Sequence, residues 1–100
     1  MDPLVRIKQA VLSGRVIFTR KADFERDADD LTVQDVYESI MNDHAVDKVM
    51  RSTSQHGRGD KLYVIKGLTF ANTLVCTKGV LRREPAREVF YVLVSAKCSE

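Results

Sequence analysis

No apolar run in this sequence approaches the roughly 20 residues that span a bilayer. The opening residues, MDPLVRIKQ, also lack the apolar stretch and small-residue cleavage site of a secretory signal. These absences predict a chain with no membrane partner, placed by default in the cytoplasm. Cysteine is scarce: there are 2, Cys76 and Cys98, and neither belongs to a metal-ligand or redox spacing. They read as unpaired thiols, which suits that compartment. Histidine is equally scarce. His44 and His56 stand without a Cys or Glu at ligand spacing, so the sequence gives no support for zinc. An acidic stretch, Asp23, Glu25, Asp27, Asp29 and Asp30, is not followed by an oxygen-ligand loop with a Gly turn. Its carboxylates spread around a helix, so a solvated face is expected, and no metal or cofactor is implied.

What the chain does have is an ordinary globular composition, 44% hydrophobic and 30% charged over 100 residues. That length leaves room for one core, so residues 1–100 are expected to form a single domain. The net charge of +2 hides a division. Residues 1–50 hold 7 Lys and Arg against 10 Asp and Glu, a net −3; residues 51–100 hold 9 against 4, a net +5. Such asymmetry points weakly to a polyanion on the C-terminal half, with a solvated basic surface as the alternative.

Lys61 to Lys97 organises the chain. KLYVIKG, NTLVCTKGVLRR and REVFYVLVSAK each have the pattern of a strand, separated by connections too short for parallel pairing. They predict an antiparallel meander carrying Lys66, Lys78, Arg82, Arg83, Arg87 and Lys97. On the last strand Phe90, Val92, Val94 and Ala96 alternate as an apolar set, which predicts that this face meets the helices. Val89, Tyr91, Leu93, Ser95 and Lys97 would then share the other face. The register between strands is not readable, so it stays open whether Lys78 and Lys97 share a face.

Upstream, Asp2-Pro3 opens a helix whose stripe is Leu4, Ile7 and Val11, with Gly14 as its stop. Arg6 and Lys8 are expected to be exposed. RVIFT, residues 15–19, reads as a brief strand or an extended connector. Thr19 can cap a second helix with Phe24, Ala28 and Leu31 toward the core. Thr32 with Asp35 approximates a capping box ahead of a third helix, whose face is Val33, Val36, Tyr37, Ile40 and Met41. Residues 45–53 read as a strand leading into the meander, and SQHGRGD as a loop holding His56 and Arg58. The expected fold is α+β: two or three N-terminal helices on one face of an antiparallel sheet of about four strands, a two-layer sandwich.

VIFTRKADFERDADDLTVQDVYESIMN and YVIKGLTFANTLVCTKGV…REVFYVLVSAK resemble a family of small bacterial proteins, mostly described as a domain of unknown function, that is similar to toxin–antitoxin ribonucleases of the MqsR, RelE and HigB type. The resemblance covers roughly residues 15–98 and includes a Thr-Lys-Gly turn and a Ser-x-Lys ending. The matching residues are Arg26, Thr77, Lys78, Gly79, Ser95 and Lys97. Where many relatives carry His after the first Thr, this chain has Arg20-Lys21-Ala22.

The resemblance implies a RelE- or MqsR-like sandwich, and a toxin that cleaves mRNA without a metal and is neutralised by a cognate protein antitoxin. In such cleavage the ribose 2′-OH attacks the adjacent phosphate, and cations stabilise the charge that builds on the phosphoryl oxygens. Lys78, Lys97 and Tyr91 are the candidate catalytic residues, and Arg51, Arg58, Arg82 and Arg83 the candidate RNA-binding residues. The alternative is a non-catalytic module using the same basic sheet to hold nucleic acid or an acidic protein. The missing histidine favours that module, and the resemblance with the small basic α+β build favours the toxin.

Overall fold

The computed structural model describes residues 2–51, 60–83 and 89–99. Among these the chain forms three helices and five strands: α1 (Pro3–Leu12), β1 (Val16–Phe18), α2 (Arg20–Ala28), α3 (Val33–Met41), β2 (Lys48–Arg51), β3 (Lys61–Leu68), β4 (Leu74–Arg83) and β5 (Val89–Cys98). The helix starts follow capping chemistry. The Asp2 carboxylate accepts from Leu4 N–H at 2.8 Å, and Pro3 occupies the first helical position, where no N–H is needed. Thr19 Oγ1 accepts from Ala22 N–H. At α3 the capping box is complete: Asp35 N–H donates to Thr32 Oγ1 and Thr32 N–H donates to the Asp35 carboxylate.

The strands form one sheet in the order β1-β5-β4-β3-β2. Neighbours from β2 to β5 are antiparallel, as the short connections require, while β1 joins the far edge parallel to β5. RVIFT therefore does contribute a strand, and the count is five rather than about four. The fold is α+β, with the helices N-terminal and a mixed, mostly antiparallel sheet.

The helices cover one face. Leu4, Ile7, Ala10 and Val11 of α1, Ala22 of α2, and Val36 and Ile40 of α3 pack on Tyr63, Ile65, Tyr91, Leu93 and Ala96. Two glycines set how close these layers come. A Cβ on Gly67 would lie 1.8 Å from the Ser39 carbonyl oxygen, so α3 sits directly on the β3 backbone. A Cβ on Gly79 would lie 2.5 Å from the Tyr91 ring, so the missing side chain makes room for that ring.

The face assignment of β5 needs correction. Tyr91, Leu93 and Ala96 face the helices, while Val92 and Val94 pack with Leu62 and Val80 in a second apolar cluster. The physical reason is a bulge. Gly79 pairs with Leu93 but Lys78 pairs with Ser95, which leaves Val94 as an extra residue. One extra residue reverses the alternation, so a strict period of two fails across it.

Other expectations are corrected as well. Thr77-Lys78-Gly79 is not a turn but the middle of β4. On α2, Phe24 is 77% exposed and Ala28 is exposed, while Ala22 and Glu25 turn inward. Arg6 and Lys8 are half-buried, and Lys8 Nζ donates to the Asp43 carbonyl at 2.6 Å. No helix among the described residues is long and apolar enough to cross a membrane.

Candidate functional site

The face of the sheet opposite the helices has two ends. At one end Leu62, Val80 and Val92 are buried, with Val94 against them. At the other end the register gathers cations. Lys48 pairs with Val64, which pairs with Lys78; Lys66 pairs with Cys76, which pairs with Lys97. Residues paired across antiparallel strands point to the same side. Lys48, Lys66, Lys78 and Lys97 therefore share a face, one lysine from each of β2, β3, β4 and β5. They line a concavity of about 560 Å³ with Val64 and Cys76 in its floor.

The bulge is what brings Lys97 here. Leu93 faces the helices, and continued alternation would send residues 95 and 97 the same way. With Val94 inserted, the C-terminal end of β5 is re-phased and Lys97 joins the row of Lys66 and Cys76.

The acidic side chains of α2 also take part. Glu25 accepts from Ser95 Oγ at 2.7 Å and from Ala96 N–H at 3.3 Å, and Asp29 accepts from Cys98 N–H at 2.8 Å. β1 pairs only with residues 91–93, so beyond it the β5 edge would have free N–H groups. The two carboxylates, one helical turn apart, satisfy them. This corrects the expectation of a purely solvated α2 face. Glu25 also lies 4.0 Å from Lys97 Nζ, a half-exposed contact that orients more than it stabilises. Asp29 and Asp47 stand among the residues that line the concavity.

The remaining candidates are dispersed. Tyr91 is fully buried on the helix side, and its hydroxyl has no hydrogen-bond partner among the described residues. Burial first, and Tyr63 second, raise its pKa well above the usual value of 10.0. Arg82 occupies the same face as Lys78 but beyond Val80, where it lies 3.8 Å from Asp60. Arg83 pairs with Val89 and Arg51 with Lys61, both on the alternate phase to the four lysines of the concavity. Arg26, one of the residues carrying the resemblance, forks onto Asp23 and donates to the Leu31 carbonyl, tying down the end of α2. Arg58, His56 and Arg87 lie outside the described residues.

Lys48 and Lys66 were not singled out as site residues from the sequence. The one available signal was Lys66 alternating with Leu62 and Val64 on β3, and it acquires meaning only once the register is known. His44 lines a neighbouring hollow that shares Lys66 with the lysine concavity. Chemically, the concavity offers four ammonium groups to an anionic ligand, with the Cys76 thiol beside them and two carboxylates that limit where the anion can sit. Burial first, and Asp29 second, raise the pKa of the Cys98 thiol. Comparison with protein families, curated proteins and solved structures finds no match.

Proposed function

We propose that this protein binds RNA through its phosphates on the lysine-lined face of the sheet and cleaves it there as a metal-independent endoribonuclease of the toxin–antitoxin type. The observation that carries the reading is the convergence of Lys48, Lys66, Lys78 and Lys97 on one concavity. Four like charges gathered on one surface repel one another, and an anionic ligand relieves that repulsion. The resemblance noted above supplies the reaction. The 2′-oxygen attacks phosphorus, the bond to the 5′-oxygen breaks, and the products are a 2′,3′-cyclic phosphate and a 5′-hydroxyl. Lysine ammonium groups meet the extra charge on the phosphoryl oxygens and can protonate the leaving 5′-oxygen. The 2′-OH proton needs an acceptor, for which Asp29 and Asp47, the two carboxylates that line the concavity, are the candidates.

A second reading, RNA binding without cleavage, draws on a specific observation. Among the described residues no histidine or tyrosine lines the lysine concavity itself. One experiment separates the two. Purified protein is incubated with an end-labelled single-stranded RNA with and without EDTA, and products are tested for a 2′,3′-cyclic phosphate. Cleavage that survives EDTA, and falls about a hundredfold or more in Lys78→Ala and Lys97→Ala, supports the ribonuclease. Lysine-dependent binding without product supports the second reading. Lysine-independent binding, or no binding at low salt, overturns both. Induced expression with and without the neighbouring gene tests for the antitoxin partner by growth arrest and its relief.

A further inference from the structure

The four lysines form a zigzag across the strands rather than a patch. Lys48 and Lys78 lie in one cross-strand row, Lys66 and Lys97 in the next, so consecutive strands contribute from alternate rows. Strands lie about 4.8 Å apart and residues two apart on a strand about 6.6 Å, which puts successive lysine Cα atoms roughly 8 Å apart over about 14 Å of sheet. The length of the line, rather than each lysine-to-lysine step, matches two or three successive phosphates of an extended single strand, so neighbouring lysines on either side of the zigzag share a phosphate. Both ends of the line meet carboxylates. Asp47 precedes Lys48 on the β2 side, and Asp29 holds Cys98 N–H on the β5 side, and both line the same concavity. A longer run of phosphates along this line would meet like charge. The described lining residues include no aromatic side chain to stack a base and no Asn, Gln or Arg to read a base edge.

Resting on the RNA reading above, we infer that this face is a phosphate ruler. It takes two or three consecutive phosphates of a single strand running across the β-strands, from the β2 edge to the β5 edge, and it contacts the backbone without reading the bases. Lysine suits this role as a point charge on a flexible stem, with no fork to demand a fixed partner. Duplex RNA presents its phosphates as two separated rows on a rigid surface, which one short line of cations does not match.

The test is a titration of wild-type protein and of a quadruple variant, Lys48→Gln, Lys66→Gln, Lys78→Gln and Lys97→Gln, whose melting is measured to establish that it folds. Probes are non-cleavable 2′-O-methyl oligonucleotides carrying one to eight phosphates, an abasic eight-phosphate oligomer, a duplex, and inorganic tripolyphosphate. Each engaged phosphate of a single strand adds about 0.7 to the slope of log affinity against log salt. The expected slope difference between wild type and variant rises to roughly 2 at three phosphates and then stays flat. The abasic oligomer is expected within about threefold of the normal one, and duplex and tripolyphosphate at least tenfold weaker than the three-phosphate strand. A difference that keeps growing to eight phosphates, or is complete at one, overturns the ruler. So does a tenfold loss on removing the bases, or tighter binding of duplex or tripolyphosphate. If the quadruple variant is folded and binds the eight-phosphate strand like wild type, the RNA reading of this face fails as a whole.

Discussion

On the helix-covered side of the sheet, Ile65, Thr77, Leu93 and Ala96 have no measurable exposure, and Gly67 and Gly79 leave no space for even a methyl group. On the opposite side the same strands carry Lys48, Lys66, Lys78 and Lys97 around an open concavity. The same backbone therefore serves two demands. Close packing on one face tolerates little change in volume, because interiors are as dense as organic crystals. The cationic face is solvated and adds little to stability, so its residues are available for a ligand. If this division holds, substitutions should separate into those that cost stability and those that cost binding.

The largest effect is expected from Ile40→Asp, which places a charge among α3, Ile65 and the rest of the core where nothing pairs with it. A loss of about 4 kcal/mol or more is expected, enough to unfold a marginal domain of this size. A melting temperature unchanged from wild type would refute the packing of α3 on the sheet. Gly67→Ala comes next. Its methyl group meets Ser39 backbone rather than a flexible side chain, so α3 must move off β3. We expect a loss of about 2–4 kcal/mol by chemical denaturation, and a neutral result would mean that α3 lies farther from the sheet.

Glu25→Ala probes the boundary between the two faces. It leaves Ser95 Oγ and Ala96 N–H without their acceptor, at an expected cost of about 1–3 kcal/mol, with Glu25→Gln milder because it keeps an acceptor oxygen. Equal losses in the two variants would assign the effect to charge rather than to edge capping. Tyr91→Phe removes a buried hydroxyl with no partner among the described residues, so stability at neutral pH should be unchanged or higher by up to about 1 kcal/mol. The sign at high pH follows from the raised pKa. The folded protein keeps the Tyr91 proton where the unfolded chain, near pH 10.0, loses its own. Stability is therefore whole below that pH and falls as pH rises above it. Tyr91→Phe should remove part of this alkaline loss while leaving RNA binding unchanged. An unaltered alkaline profile would show that the hydroxyl is not buried as described. The smallest stability effect is expected for Lys78→Ala and Lys97→Ala, within about 0.5 kcal/mol, although Lys78 sits in mid-strand rather than at a strand end. A much larger loss would break the division between the faces.

Local chemistry made most of the elements legible. Asp2-Pro3, Thr19 and Thr32 with Asp35 are caps whose partners lie two or three residues away, and each helix begins where its cap directs. The face of α3 followed in the main from its spacing: Val36 and Ile40 are fully buried, with Tyr37 and Met41 partly so, but Val33 in the first turn is exposed and Ser39 is buried in its stead. α2 was misread for an instructive reason. Its apolar residues, Phe24 and Ala28, suggested an inward stripe, but the neighbour it meets is an edge of free N–H groups, for which carboxylates are the better partners.

The faces of β5 were illegible on similar grounds, since no local pattern announces that Val94 is an extra residue. Only pairing with β4 shows the step from Gly79–Leu93 to Lys78–Ser95. The helices with their caps, the antiparallel meander and the excess of positive charge in the second half are written in the order of the residues. These rest on contacts between near neighbours in the chain and on composition. Tertiary structure decided that Tyr91 is buried beneath the helices, that Glu25 and Asp29 close a sheet edge, and that four lysines from four strands meet on one face. Each of these depends on register between segments far apart in sequence, and a shift of one residue sends a side chain to the opposite side of the sheet.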